Sequence, residues 1–197
     1  MAAMNFGSTR VELVRRRRKG ARGGDVKAVR RAVATTLRAE GVDGREVSVL
    51  LTDDREIQSL NLAYRGFDKP TDVLAFALDE SLAVDEGSVP VLLFEGLEGL
   101  DVPGLSPPAG EGSEFVVQGG ESGGASSLGD VVISVERARA QAASRRVTLD
   151  AELELLAVHG TLHLLGYDHA DADEARVMRN RTRAVRRRLA KGEGAST

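Results

Sequence analysis

Apolar residues recur along this chain in two rhythms, every second position and every third or fourth, and the switches between them mark the elements. Thr9 to Arg15 can extend as a first strand. Val26, Val29, Val33 and Leu37 then follow helical spacing, so a helix is expected from an N-cap at Asp25 through Glu40, stopped at Gly41. Glu46 to Thr52 is rich in Val, Leu and Thr and reads as a second strand. Asp53 or Asp54 can cap a second helix carrying Ile57, Leu60 and Tyr64, and Pro70 closes that region before a strand from Val73 to Leu78. Gly129 to Ser134 supplies a fourth strand, which leads into an Ala- and Arg-rich helix ending at Arg146. Thr148 then caps a strongly apolar helix reaching Leu165, and a last helix runs from about Asp171 to Leu189.

Strands alternating with helices predict an α/β (α+β) fold, with a small mixed four-stranded sheet packed against several helices and the apolar helix 148–165 at its centre. The length of 197 residues suits a single domain over 1–197. One stretch interrupts it. Residues 79–127 hold ten of the 22 Gly, four of the five Pro and ten acidic groups, with no Lys or Arg. Such a composition cannot bury enough apolar surface to offset its ordering entropy, so an acidic, largely disordered insertion is expected. Within it, Val89 to Phe94 and Phe115 to Val117 are the segments able to form short strands.

Composition narrows the chemistry. With no Cys, the chain cannot build a disulfide framework, an iron–sulfur cluster or a thiolate zinc site, so any metal must be held by His or carboxylates. The lack of Trp and an aromatic content of 4% argue against aromatic base-stacking platforms. No run approaches 18 consecutive apolar residues, and Met1 to Thr9 lacks a charged-then-apolar leader, so a cytoplasmic protein that neither spans a membrane nor is exported is expected. The net charge of −3 hides a segregation: outside residues 79–127 there are 27 basic groups against 20 acidic, a net of +7. Arg10 to Arg31 carries ten Lys and Arg against Glu12 and Asp25, and Arg176 to Lys191 carries eight against none. That is the balance of a polyanion binder with an acidic appendage, or of ordinary solvated helix faces.

All three His of the chain fall within His159-Gly-Thr-Leu-His163-Leu-Leu-Gly166-Tyr-Asp-His169. His159 and His163 are i and i+4, so a helix projects both imidazoles from one face, as a shared zinc ion requires. Gly166 is placed to end that helix in a left-handed turn that can bring His169 back to the same ion. Three neutral imidazoles leave a fourth position for water, which is the layout of a catalytic site. The His-x-x-x-His-x-x-Gly-x-x-His skeleton matches the ligand pattern of the metzincin proteases. Those enzymes carry a general-base Glu after the first His, whereas this chain has Gly160, which can neither accept nor donate a proton, so peptide hydrolysis by that route is disfavoured. Asp168 can orient a ligand from behind or cap the following helix.

The same block resembles the signature of the YbeY family of bacterial rRNA maturation factors. Further blocks follow in the family's order: Leu60-Asn61-Leu-Ala-Tyr64-Arg65, then Asp68-Lys-Pro70-Thr71-Asp72-Val73-Leu74-Ala75-Phe76, then Leu128-Gly129-Asp130-Val-Val-Ile133-Ser134. The resemblance implies a zinc-dependent, single-strand-specific endoribonuclease acting in 16S rRNA 3′-end maturation and late ribosome quality control. Its partners would be single-stranded RNA, rRNA and the small ribosomal subunit. It makes His159, His163 and His169 the ligands of one zinc ion and Arg65 the functional arginine. A guanidinium beside a metal suits a scissile phosphate, because it offers paired donors and a permanent charge. The plainer reading of Arg65 is a surface ion pair with Asp68 or Asp72.

Two departures stand out: Ala75 occupies a position where the family usually has Ser, and the insertion falls in what is ordinarily a short connection between two strands. For the general base, Asp72, Asp130 and bulk hydroxide remain open. Two other functions stay in view: a non-catalytic assembly factor in which zinc only holds the His helix and its turn together, and a metallopeptidase with its base elsewhere in the chain.

Overall fold

A computed structural model describes residues 5–6, 9–15, 23–42, 44–78, 127–168 and 171–192. In chain order the elements are β1 (Asn5–Phe6), β2 (Thr9–Arg15), α1 (Gly23–Ala39), β3 (Glu46–Thr52), α2 (Asp54–Arg65), β4 (Val73–Ala77), β5 (Ser127–Ser134), α3 (Val135–Arg145), α4 (Leu149–Leu164) and α5 (Ala172–Ala190). All four expected strands form, together with the expected helices. The sheet nevertheless has five strands, in the order β1-β2-β3-β5-β4, rather than four. The extra one is a two-residue strand antiparallel to β2, too short to leave a periodic signal in the sequence. α1 also begins at Gly23, so Asp25 lies in its first turn instead of capping it.

The sheet is mixed, as expected. β2 pairs parallel with β3, and β3 with β5, while β4 lies antiparallel to β5 at the edge. Parallel neighbours need a crossover, and α1 supplies the first while α2 and β4 together supply the second. Because side chains alternate across a strand, each strand feeds two layers. Val49, Val73, Ala75, Val131 and Ile133 face a large core with Val29, Val33 and Leu37 of α1 and Leu153, Ala157 and Leu162 of α4. Leu50, Leu74, Phe76 and Val132 face a smaller cluster with Ile57 of α2, flanked by Leu60 and Tyr64. Tyr64 and Phe76 meet edge to face there, with ring centroids 5.1 Å apart. Burying β3, β4 and β5 on both faces explains why Val47, Val49, Leu50 and Leu51, Val73 to Ala77, and Val131 to Ile133 are apolar on both sides of their strands.

Capping follows the chemistry of the termini. Asp53 accepts from the backbone N–H of Glu56 at 2.9 Å, so Asp53 rather than Asp54 caps α2. Gly129 takes a φ of 131°, and a Cβ built there would stand 2.0 Å from the carbonyl oxygen of Phe76. Only glycine permits that approach of β5 to β4. The pair closes with the N–H of Leu78 donating to the carbonyl of Leu128 at 3.0 Å, which brings the two ends of the predicted insertion side by side. The remainder of that insertion, with its two short-strand segments, lies outside the described residues. Among the described residues, no helix is long and apolar enough to cross a membrane.

Candidate metal centre

α4 is apolar on nearly every side because it is wedged between the sheet, α1 and α5. Thr148 caps it as expected, its hydroxyl accepting from the N–H of Ala151 at 3.2 Å. Inside this helix the side chain of Glu152 is 1% exposed and pairs with Arg145 at the end of α3. Arg31 of α1 likewise meets Glu154, so ion pairs fix the rotation of α4 from two sides. The rotation is also fixed sterically: a Cβ at Gly160 would stand 2.6 Å from Cγ1 of Val131 and 3.2 Å from Cγ2 of Val73. Gly160 is therefore where the helix lies tightest against the sheet, a packing role that sequence reading missed.

With α4 held this way, His159 and His163 converge. Their Nε2 atoms are 3.2 Å apart, and their rings stand 4.7 Å apart at 86°. Two imidazoles bound tetrahedrally to one zinc at bond lengths of about 2.0–2.1 Å would place their nitrogens about 3.3 Å apart. The spacing fits. His163 is buried at 2% exposure while His159 is half-buried, so the pair presents one sheltered and one accessible nitrogen side. Asp168 approaches from behind, its Oδ1 3.9 Å from Nδ1 of His163. Capping of α5 belongs to Asp171, whose Oδ1 accepts from the N–H groups of Asp173 and Glu174 at 2.8 Å each. Capping is therefore not the role of Asp168, and at 3.9 Å its carboxylate lies near the buried Nδ1 of His163 but beyond hydrogen-bond distance of it.

The helix ends as the sequence requires. Gly166 has φ 83°, its N–H donates to the carbonyl of His163 at 2.9 Å, and that of Tyr167 donates to Leu162 at 3.1 Å. The turn is clamped from outside, because the Tyr167 hydroxyl donates to Glu40 at 2.7 Å and its ring lies 5.7 Å from the Arg181 guanidinium. The hydrogen bond to Glu40 raises the Tyr167 pKa above its ordinary value, burial and the Glu40 charge raise it further, and Arg181 opposes them. His169, the third expected ligand, lies outside the described residues. Among those residues, no group of three or more His, Cys, Asp or Glu could hold a metal ion.

Arg65 is the last residue of α2, where Gly66 at φ 72° terminates the helix. Its guanidinium sits 5.5 Å from the centre of the exposed Phe67 ring, with Lys69 at the same distance, and partial burial lowers its pKa. Asp68 accepts from Gln58 at 2.8 Å, and Asp72 accepts from Gln141 at 2.9 Å, so both carboxylates weighed as partners of Arg65 bind amide side chains. The connection after Arg65 is pinned by Asn61, 1% exposed, whose Nδ2 donates to the carbonyl of Lys69 at 2.7 Å. α2 packs on the sheet face opposite α4, so the structure brings the two histidines together but places Arg65 in the layer across the sheet. The link between them runs around edge strand β4, whose first residue, Val73, faces Gly160. Ala75 is buried on the α4 side of that strand.

Beside the histidines, a cavity of about 680 Å³ opens between α4 and α5, lined by His159, Met178, Thr182 and the arginines Arg179, Arg183, Arg186 and Arg187. The fold and the site together give a mixed-sheet α+β domain that turns a convergent histidine pair toward a basic cleft. Comparison with known proteins narrows this. The family model described as endoribonuclease YbeY matches residues 19–190, and the chain belongs to that family. Endoribonuclease YbeY of Geobacillus kaustophilus is 39% identical over 154 residues, 78% of this chain and 79% of that protein. Endoribonuclease YbeY of Desulfitobacterium hafniense is 42% identical over 154 residues, 78% of this chain and 77% of that protein. The solution structure of TM1509 from Thermotoga maritima aligns with a TM-score of 0.49 at 20% identity, covering 95% of this chain and 96% of that one.

Proposed function

We propose that this protein is a zinc-dependent, single-strand-specific endoribonuclease acting in 16S rRNA 3′-end maturation and late ribosome quality control. Family membership supports nuclease activity in rRNA processing. The observation that carries the metal reading is the 3.2 Å separation of the His159 and His163 Nε2 atoms on one helix face. His159, His163 and His169 would hold the ion. When bound, zinc supplies Lewis acidity and an acidified water.

The chain's own residues do the rest. Arg65, at the end of α2 across the sheet, would act on the phosphoryl oxygens only for a strand that bends around the β4 edge, where its charge would offset the negative charge accumulating in the transition state. Asp168 would favour the His163 tautomer that leaves Nε2 free to coordinate if it closed the 3.9 Å gap to Nδ1. Neither candidate carboxylate suits the general base. Asp72 Oδ1 accepts from the N–H of Val73 at 3.0 Å and its Oδ2 from Gln141 at 2.9 Å. Asp130 pairs with Phe76 in register and so shares the α2 face, away from α4. Solvent hydroxide is the acceptor that fits this geometry. Position 160 has no room for the general-base Glu of a His-Glu-x-x-His peptidase, because Gly160 is pressed against Val131, so a peptidase would have to take its base from elsewhere in the chain.

The test is cleavage of a single-stranded RNA by the zinc-loaded chain beside His163→Ala and Arg65→Ala. Loss of cleavage in both variants, with zinc retained in Arg65→Ala, is the expected outcome. Zinc binding with no cleavage by the unaltered chain would favour the non-catalytic assembly factor.

A further inference from the structure

We infer that the groove between α4 and α5 is a track for the sugar-phosphate backbone of single-stranded RNA, laid by Arg179, Arg183 and Arg186. The inference rests on the nuclease reading for the identity of its occupant and deepens it by naming the contacts. α5 turns one stripe inward, where Met178, Val185 and Leu189 are buried. Helical periodicity then puts Arg179, Arg183 and Arg186, at i, i+4 and i+7, on the flank that borders the groove shared with His159.

Two other α5 arginines are ion-paired. Arg176 pairs with Asp173 at 3.0 Å, and Arg181 lies 3.7 Å from Glu40 while stacking near Tyr167. By contrast, Arg179, Arg183 and Arg186 are exposed and form no ion pair among the described residues. These like charges, with Arg187 lining the same groove, repel one another and destabilise the free protein slightly, so a polyanion is the complementary ligand. They climb about 10 Å along the helix axis at about 1.5 Å per residue. That is about three nucleotides of a stacked strand at about 3.4 Å each. Since His159 forms the opposite wall, a strand following the track runs past the proposed metal position.

Binding is measured by fluorescence anisotropy of a labelled oligouridylate about 12 nucleotides long, on the full-length zinc-loaded chain, with a gel confirming that the oligomer stays intact. The variant is Arg179→Gln/Arg183→Gln/Arg186→Gln, and the control is Arg176→Gln/Arg188→Gln, which alters α5 arginines outside the groove. Glutamine keeps helix propensity, so folding and zinc content should match the unaltered chain. With about 0.7 unit of log–log salt slope per phosphate contact on a single strand, the triple variant should lose about 2 units of slope and at least about tenfold in affinity at low salt. The control should lose much less.

Equal losses in both variants, or no loss in the triple, would overturn the track. If the triple does not fold, Arg183→Gln alone should cost about 0.7 unit of slope, and an unchanged slope would again overturn it. The two readings separate cleanly. Cleavage by the unaltered chain with undiminished binding by the triple defeats the track and spares the nuclease. Groove-dependent binding without any cleavage does the reverse.

Discussion

At position 160 the absence of a side chain does two things. It removes the proton-transfer group that a His-Glu-x-x-His helix would carry, and it lets α4 settle against Val131 and Val73 so that the neighbouring His159 is held at a fixed height above the sheet. Gly160→Ala should therefore cost stability. Overpacking costs about 1–3 kcal/mol, and the better helix propensity of Ala offsets about 1 kcal/mol of it. Urea denaturation should show a midpoint shift equivalent to a net loss of up to about 2 kcal/mol; a raised midpoint would mean that the helix does not press on the sheet there. The histidines differ in the same way. His159 and His163 are preorganised by α4, whereas His169 follows a turn, so elemental analysis should find less than about 0.2 zinc equivalents in His159→Ala or His163→Ala. His169→Ala should retain more. Equal retention in all three variants would detach the metal from the helical pair.

Among the elements, the turn leaving α4 is the one whose geometry comes from outside itself. Tyr167 ties it to Glu40 at the end of α1, 127 positions away in sequence, and Arg181 of α5 closes the arrangement. Tyr167→Phe removes one hydrogen bond to a charged acceptor at a half-exposed site and should cost about 1 kcal/mol, read as a lowered thermal midpoint and weaker zinc affinity. Its pH dependence has a definite sign. A phenol whose folded pKa lies above the ordinary value of about 10 contributes fully below pH 10, and the contribution is lost as pH rises through the folded pKa. The gap between the unaltered chain and Tyr167→Phe should thus be constant at neutral pH and narrow in strong alkali.

This clamp also marks the limit of sequence reading. The cap at Thr148, a cap for α2 at Asp53 or Asp54, the stop at Gly166 and the i, i+4 histidines are local signals written within four residues and are legible, whereas the cap of α5 is Asp171 and not the Asp168 that the sequence offered. The Tyr167–Glu40 bond, the Gly160 contact and the selection of three α5 arginines for the groove depend on which segments the fold brings together. No local pattern encodes that.

At the scale of the whole molecule, charge and chain connectivity meet at the β4–β5 hairpin. The ladder holds Leu78 against Leu128, so residues 79–126 leave and re-enter the domain at adjacent points. Closing a loop costs entropy only logarithmically in its length, so replacing residues 80–126 by a short Gly/Ser bridge should change stability by no more than about 2 kcal/mol and leave zinc binding intact. The ten acidic groups of residues 79–127, nine of which the deletion removes, are tethered to a domain that is otherwise +7 and should compete with RNA for the basic surface. The deletion variant should therefore bind single-stranded RNA more tightly than the full chain. The gain should be largest at low ionic strength and fade as the Debye length falls toward about 8 Å near physiological salt. Anisotropy titrations of both chains across a salt series make the comparison. Unfolding or zinc loss in the deletion would show that the segment is part of the packed domain, and equal RNA affinity at every salt concentration would show that its charge does not reach the arginines lining the groove.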